Sequence, residues 1–166
     1  MNPCPCGFYN HPDKECVCNP GSVQRYLNKI SGPLLDRIDI HLEVVPVAFE
    51  NLTLTKSGEN SEEIRTRVIK ARAVQIERYE KHTGIHCNAQ ISPSMVQNHC
   101  RTGSDGNMLL KNAMNKLGFS ARAYDRILKV SRTIADLEGC PDIKSVHIAE
   151  AVQYRSLDRE IWTAGA

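Results

Sequence analysis

The chain has 166 residues, of which 41% are apolar, and a formal net charge of +2. This apolar share can form a folded core and excludes a chain that is disordered throughout. A nearly neutral charge argues against a dedicated nucleic-acid-binding domain and against a polybasic membrane binder. Because no apolar run approaches the length that crosses a bilayer and the first residues do not resemble a signal peptide, the sequence predicts a cytoplasmic protein without a membrane partner.

The first 18 residues hold four of the seven cysteines, as the two C-x-C pairs Cys4 with Cys6 and Cys16 with Cys18. A disulfide framework is the weaker interpretation, because the cytosol keeps thiols reduced. Two close pairs at the ends of a loop can supply the four soft ligands of a tetrahedral zinc ion. The pairs therefore predict a structural zinc site, with His11 as a substitute ligand inside the loop. The alternative is a loop of reduced cysteines without metal.

Residues 1–46 predict the cysteine-rich loop, one helix and one strand. The helix is expected to follow Gly21, with Ser22 as its N-cap, and to end at residues 31–33, since Gly permits the turn and Pro cannot continue a helix. Alternating apolar residues over 38–45 predict a strand with one buried face. Because a lone strand cannot satisfy its own hydrogen-bonding edges, this segment indicates the end of a larger α/β core.

A polar linker is predicted at residues 47–58, followed by a helical domain over residues 59–166. Its fold class is mainly α, with about five helices. These are expected near residues 61–82, 92–100, 105–117, 120–138 and 145–157. Asn60 followed by Glu63 resembles a capping box, Ser120 is a predicted N-cap, and Gly84, Gly118 and Gly139 are predicted helix stops.

Several side chains of this domain are expected to be buried. On the first helix these are Ile64, Val68, Ala71 and Ile76, which fall near one face, and on the fourth they are Ile127, Val130, Ile134 and Leu137. The remaining cysteines, Cys87, Cys100 and Cys140, are interpreted as small core residues. Trp162 is expected to pack on the same domain.

Two groups of cations could act on phosphate. Arg37 lies at the junction of a turn and the predicted strand, where a planar guanidinium could reach a neighbouring subunit's phosphate. The alternative is a surface arginine paired with Asp36 or Asp39. On the fourth helix Arg122, Arg126 and Lys129 form one stripe near the N-terminus, which suits an anion, and the alternative is a solvated, charge-balanced face.

Several strings in order resemble the magnesium-chelatase-like AAA+ family, in its branch of ComM-type competence helicases. They begin with N-P-C-P-C-G at residues 2–7 and I-S-G-P-L-L-D-R-I-D-I-H at residues 30–41. They continue through residues 87–90, L-G-F-S-A-R-A-Y-D-R-I-L at residues 117–128, and residues 147–155. The resemblance covers nearly the whole chain and implies the end of an AAA+ core, with its partial α/β segment, followed by a helical lid.

The resemblance also implies roles for single residues. Asn2 matches the sensor-1 polar residue, which holds the hydrolytic water or the γ-phosphate. Arg37 matches the arginine finger that acts on ATP bound by the adjacent subunit. Arg122 matches the sensor-2 arginine that the lid brings to the phosphates, whereas Arg126 is expected to be structural.

The implied parent protein is a ring-forming ATPase, a hexamer of identical subunits, that binds ATP and Mg²⁺. It is expected to couple ATP hydrolysis to DNA remodelling, such as helicase action and branch migration in natural transformation. No phosphate-loop pattern G-x-x-x-x-G-K-[ST] occurs in the chain, so alone it is expected not to hydrolyse ATP, and DNA contacts are expected upstream. One alternative is a chelatase-type motor acting on a protein or metal-insertion partner. The other is a zinc-bearing helical adaptor with no motor role.

Overall fold

The computed structural model describes residues 1–42, 44, 47 and 58–155. In this part of the chain there are seven α-helices and one short 3-10 helix. Extended pairing among the same residues is limited to one isolated parallel bridge between Thr102 and Ile143. The predicted mainly α fold class is confirmed. None of the described helices is both long and apolar enough to cross a membrane.

The chain divides into two compact units. The first comprises Met1–Thr55 with Tyr154–Ala166, and the second comprises Lys56–Gln153. Most of the predicted linker at residues 47–58 lies outside the described residues, so the boundaries at 46 and 59 stay a prediction.

The first unit contains two short helices, α1 over Pro20–Leu27 and α2 over Gly32–Leu35. The predicted N-cap Ser22 is wrong, because the cap is Asn19, whose side-chain oxygen accepts the Ser22 backbone N–H at 2.8 Å. Pro20 occupies the first helical position, where the missing N–H costs nothing. At α2, which begins at Gly32, Pro33 is the second helical residue of a short helix where the sequence predicted only a turn.

The predicted strand at residues 38–45 is absent from the described residues 38–42 and 44. Its apolar side chains are exposed, from 39% at Ile38 to 91% at Val44. Extended backbone forms a strand only when a neighbouring strand takes up its N–H and C=O groups. Among the described residues the segment has only single partners, since the His41 N–H donates to the Tyr154 carbonyl at 2.7 Å and Arg155 donates to the Ile38 carbonyl at 2.6 Å. The alternating pattern is therefore present there without the ladder that it predicts.

The second unit is helical throughout its described length. Helix α3 spans Ser61–Arg78, a 3-10 helix spans Asn88–Gln90, and α4 spans Pro93–His99. Helix α5 spans Ser104–Leu117, α6 spans Ala121–Leu137, and α7 spans Ser145–Gln153. All five predicted helices are therefore present, with α3 ending four residues earlier than predicted. Residues 156–166, including Leu157 and Trp162, lie outside the described residues.

Three helix ends of the second unit follow the predicted chemistry, whereas α3 ends at Arg78 and not at the predicted stop Gly84. Asn60 and Glu63 form a reciprocal capping box at the start of α3, and the Ser120 hydroxyl accepts the Ala123 N–H at the start of α6. Gly118 ends α5 in the left-handed conformation with φ 55°. These bonds satisfy backbone groups that a helix end leaves without partners.

The buried face of α3 differs from the prediction. Ala71 and Gln75 are its buried residues, and Tyr79 follows them at 1% exposure. Ile64, Val68 and Ile76 are each more than 40% exposed. The helix thus turns a small residue, an amide and a phenol towards the interior, which points to a polar contact beneath it.

The core of the second unit is centred on α6. Its predicted apolar face is confirmed at Ile127 and Ile134, whereas Val130 is half-buried and Leu137 is 38% exposed. Leu110 of α5 and Ile148 of α7 are buried with them at 1% and 0% exposure. At Gly106 of α5, an added Cβ would lie 2.7 Å from Ile148 Cδ1, so α5 and α7 approach closely here and a larger residue would require the Ile148 side chain to shift.

Candidate functional site

The four cysteines of the N-terminal loop come together in the first unit. Cys4 is fully buried, and Cys6, Cys16 and Cys18 are half-buried. Two turns shape the loop. Gly7, with φ +84°, donates its N–H to the Cys4 carbonyl, and Asn10 also has a positive φ.

The spacing of the sulfur atoms fits a tetrahedral metal. Cys4 Sγ lies 3.3 Å from Cys6 Sγ and 3.7 Å from Cys16 Sγ, and the Cys6–Cys16 distance is 3.6 Å. All four Sγ atoms lie within 4.8 Å of one another. A zinc–sulfur bond of about 2.3 Å gives a sulfur–sulfur edge of about 3.8 Å in a regular tetrahedron. The arrangement therefore suits one thiophilic ion, with no position left for a substrate.

Backbone hydrogen bonds, burial and the neighbouring thiols together set the pKa values of these cysteines. A hydrogen bond from the Phe8 backbone N–H, helped by the neighbouring thiols, lowers the pKa of Cys6 to about 6 in spite of burial. The Cys18 backbone N–H also favours the Cys16 thiolate, but desolvation and the thiols of Cys6 and Cys4 outweigh it and raise the pKa of Cys16 to about 12. The cluster of four thiols therefore loses one proton easily and resists losing a second, unless a cation replaces the protons.

His11 is not part of this cluster. Its Nδ1 accepts the backbone N–H groups of Asp13 and Lys14 at 3.0 and 3.1 Å. The histidine predicted as a substitute ligand therefore stabilises the turn between the two cysteine pairs.

Asn2 lies beside the cysteine loop. A Cβ added at Gly7 would be 3.5 Å from Asn2 Nδ2, so the asparagine amide packs against the turn that follows Cys4. The Asn2 side chain is exposed.

Arg37 follows α2 and is exposed. Its backbone N–H donates to the Leu34 carbonyl at 3.0 Å, which continues the α2 turn through this residue. Within the described residues its guanidinium makes no hydrogen bond or ion pair, so the alternative pairing with Asp36 or Asp39 does not occur there. The arginine is held through its backbone while its side chain stays available.

The cationic stripe predicted on α6 separates into different environments. Lys129 Nζ donates to the carbonyls of Ala89 and Ile91 at 3.2 and 2.6 Å, so it caps the end of the 3-10 helix. Arg122, in the first turn of α6, is exposed and makes no hydrogen bond or ion pair with the described residues. Only Arg122 of these two is available to an incoming anion.

A buried carboxylate in the second unit was missed by the sequence analysis. Asp136 of α6 has a side-chain exposure of 0% and pairs with Arg78 of α3 and Arg132 of its own helix. It also accepts hydrogen bonds from Gln75 at 3.2 Å and Asn88 at 2.8 Å. One carboxylate thus joins α3, the 3-10 helix and α6.

The charges around Asp136 decide its protonation. Burial by itself would raise the pKa of Asp136, but hydrogen bonds from Arg78 and Asn88 and the charges of Arg78 and Arg132 lower it below its ordinary value. Arg132 also donates to the carbonyls of Cys140 and Pro141 at 2.6 and 2.7 Å. In the sequence the pair is visible only as Arg132 and Asp136 at i, i+4 on α6. Helical periodicity places both roughly opposite Ile127 and Ile134, as on a solvated face, so the sequence carries no signal that they are buried.

A second cluster of candidate metal ligands contains Glu138, Cys140 and His147. His147 is buried, its Nδ1 accepts the Lys144 backbone N–H at 3.0 Å, and its Nε2 lies 3.0 Å from Glu138 Oε2. A neutral imidazole that accepts at Nδ1 carries its proton at Nε2. This tautomer donates to Glu138 from Nε2 and uses its Nδ1 lone pair for the Lys144 N–H, so neither ring nitrogen is left for an ion and His147 caps the start of α7.

The comparisons identify the class of protein to which these features belong. Residues 58–155 match the family described as magnesium chelatase, subunit ChlI C-terminal, and residues 1–52 match the family described as magnesium chelatase, subunit ChlI. The chain therefore belongs to the magnesium chelatase family of AAA+ proteins.

Individual proteins are also similar in sequence to this chain. The chain is 42% identical over 160 residues to Competence protein ComM of Haemophilus influenzae, and this alignment covers 96% of the chain and 30% of the relative. The uncharacterized protein YifB of Escherichia coli is 38% identical over 161 residues, with the same two shares. An uncharacterized protein of Mycobacterium bovis is 32% identical over 154 residues, 93% of the chain and 30% of the relative. The chain spans 30% of the length of these curated relatives.

Proposed function

We propose that this chain is the C-terminal part of a ring-forming, cytoplasmic AAA+ ATPase that remodels DNA by helicase action or branch migration. The observation that carries the proposal is the match of residues 1–52 and 58–155, in that order, to the two magnesium chelatase families. The presence of a competence protein among the relatives supports it. In the proposed assembly, identical subunits form a hexamer, ATP and Mg²⁺ are bound by other segments of the parent protein, and DNA contacts lie in those segments.

Arg37 is the proposed arginine finger. Its guanidinium is exposed and makes no bond to the described residues, while its backbone is fixed by the α2 turn. A cation held in this way can reach the phosphates of ATP on the adjacent subunit at little cost in backbone ordering. Its charge would stabilise the charge that develops during phosphoryl transfer.

Arg122 is the proposed sensor-2 residue and Asn2 the proposed sensor-1 residue. Arg122 lies in the first turn of α6, where the backbone N–H groups and the helix dipole add to its attraction for phosphate. The Asn2 amide can donate and accept at once, as a group that orients a water molecule must.

We propose that Cys4, Cys6, Cys16 and Cys18 hold a structural zinc ion. The donor set is soft, the sulfur–sulfur distances fit one tetrahedral ion, and four protein ligands leave no catalytic position. When bound, zinc would neutralise thiolates that cannot ionise together.

ATP hydrolysis by the full-length parent protein tests the motor role. We expect turnover that rises with single-stranded or branched DNA. The Arg37→Ala variant should lose about 1,000-fold or more in kcat, as removal of an arginine finger does elsewhere. Arg122→Ala should lose about 100-fold, since one phosphate-stabilising donor is removed.

Arg25→Ala is the matched control, because Arg25 is another exposed arginine of the first unit, on α1. Its turnover should stay at the wild-type level. Turnover indifferent to DNA would move the proposal to a chelatase-type motor acting on a protein or a metal-insertion partner. A parent protein without ATPase activity that retains its metal would favour the adaptor.

The zinc proposal has a separate test on this chain. We expect one equivalent of zinc after purification, and cobalt substitution should give the visible absorption of a tetrahedral cobalt thiolate. The Cys16→Ser variant should lose the ion, whereas Cys87→Ser, which changes a half-buried cysteine of the second unit, should keep it. Wild-type protein without stoichiometric metal would remove the zinc proposal.

A further inference from the structure

The cysteine cluster forms the core of the first unit. Cys4 is buried together with Val23 and Leu27 of α1, and the other three cysteines and Tyr9 pack against this group. Among the described residues of this unit the buried apolar side chains are few, so sulfur atoms occupy the position that hydrocarbon side chains fill in a larger domain. An interaction that fixes the positions of the sulfur atoms therefore also fixes the surface against which α1 packs.

One side of the cluster leads directly to Asn2. The Gly7 N–H donates to the Cys4 carbonyl at 3.1 Å, and Asn2 packs against that turn. The turn has Cys4 and Cys6 within it, so the two ligands and Asn2 belong to one tight backbone segment.

The other side leads to Arg37 through a short path of backbone hydrogen bonds. After α1, Asn28 and Ile30 donate to the carbonyls of Gln24 and Leu27 at 2.9 and 3.1 Å. The Ser31 carbonyl accepts from Leu34 and Leu35, at 2.9 and 3.0 Å.

The far end of this path is anchored as well. The Ile38 N–H donates to the Leu35 carbonyl at 3.0 Å. The Ile38 carbonyl in turn accepts from Nη1 of Arg155 at 2.6 Å, and Arg155 is buried at 1% exposure. Hydrogen bonds therefore constrain the backbone on both sides of the Ile30–Ser31 peptide bond, from Leu27 to Ile30 and from Ser31 to Ile38.

We infer that the metal-loaded cysteine centre is the joint that holds Asn2 and Arg37 in one rigid body, with the four cysteines acting as positioning residues. The inference rests on the proposed function for the roles of Asn2 and Arg37, but not for their mechanical connection. If Asn2 faces a subunit's own nucleotide and Arg37 faces the neighbour's, the centre couples two ATP sites around the ring.

Amide hydrogen exchange on the whole 166-residue chain tests the connection without any ATPase measurement. The zinc-loaded chain is compared with the chain stripped by a chelator under reducing conditions, and then with the chain reloaded with zinc. At such a small site the free energy of zinc binding stabilises the folded state. We therefore expect four backbone amides to exchange at least about 100-fold faster without metal, those of Val23, Leu27, Arg37 and Ile38. The heteronuclear NMR signal of the Asn2 side-chain amide should shift in the same titration.

The amides of Ile127 and Ile134 in α6 serve as the internal reference, and their exchange should stay unchanged. Cys16→Ser should reproduce the stripped state, and Cys87→Ser should reproduce the loaded state. An ion that only ties the loop together would slow exchange near the cysteines and leave Arg37 and Ile38 as they were, which would overturn the inference. Loss of α6 protection on metal removal would overturn it too, since the effect would then be global unfolding.

The two proposals fail in different ways. If the exchange result holds and Arg37→Ala leaves ATPase activity unchanged, the proposed function fails while the joint stands. If the ATPase result holds and exchange at Arg37 and Ile38 ignores the metal, the joint fails while the arginine finger stands.

Discussion

The two units of this chain contain different kinds of core. In the first unit a group of four sulfur atoms takes the central place, with Val23 and Leu27 as its hydrocarbon neighbours. In the second unit the core is made of helix side chains such as Leu110, Ile127 and Ile148, with one buried carboxylate, Asp136, among them. If the thiols bind zinc as proposed, the first unit depends on that ion, whereas the second unit is stabilised by its own side chains.

The largest effect is expected when the carboxylate of the second unit is removed. Asp136→Ala leaves Arg78 and Arg132 as buried or half-buried cations without their anion, so it should lower the free energy of unfolding by about 3–5 kcal/mol. Chemical denaturation monitored by helical circular dichroism measures this. Asp125→Ala, on the same helix and without a described ion pair, should change stability by less than about 0.5 kcal/mol. Equal losses in the two variants would contradict the central role of Asp136.

Two leucine truncations compare the cores directly. Leu110→Ala in the second unit should cost about 3 kcal/mol, because Leu110 is 1% exposed and its truncation leaves a cavity. Leu27→Ala in the first unit, at 3% exposure, should instead appear as weaker zinc binding, because the proposed zinc site would couple folding to binding there. If Leu27→Ala also costs about 3 kcal/mol, the zinc dissociation constant should rise about 100-fold. Zinc affinity unchanged by Leu27→Ala would end the comparison, because the sulfur cluster would not depend on α1.

Acid should weaken the second unit in a defined range. The pKa of Asp136 is lowered in the folded chain, so its contribution is complete above the unfolded value of about 3.9 and is lost as the pH falls through the folded value. We expect thermal stability of the second unit to be insensitive to this group at neutral pH and to decline only below about pH 4. The same titration of Asp136→Asn should lack that decline, and a decline of equal size in the variant would assign it to other groups.

The smallest effects are expected at two helix caps with the same side chain. Asn19→Ala removes the cap of α1 and Asn60→Ala removes half of the capping box of α3, so each should cost about 1 kcal/mol. In the first unit the loss should be visible in zinc affinity, and in the second unit in the melting temperature. Loss of zinc affinity in Asn60→Ala would show that the two units do not respond separately.

The helical part of the fold follows from local chemistry and was predicted well. The capping box at Asn60, the Ser120 cap and the glycine at position 118 each act within a few residues, so the sequence reveals them directly. The strand at residues 38–45 could not be judged in this way. Its apolar alternation is real, but strand formation depends on a distant partner that local sequence does not specify.

The candidate site was only partly accessible from sequence. The two C-x-C pairs predicted their own convergence, because the ligands are close in sequence and chemically distinctive. Lys129 was assigned to an anion-binding stripe, but it caps carbonyls 38 and 40 positions earlier in the chain, a contact that periodicity cannot reveal. Asp136 was missed for the same reason, since two of its partners lie 58 and 61 positions away.

The loop between the cysteine pairs has a practical consequence for watching the proposed ring at work. Lys14 and Glu15 are exposed and lie outside the ligand set, while His11 closes the turn just before them. Lengthening a loop whose ends are already held together is inexpensive, about 0.6 kcal/mol for each doubling. A small fluorescent tag inserted between Lys14 and Glu15 would thus sit beside the cysteine centre without replacing any ligand, and would convert metal occupancy in each subunit into an optical signal.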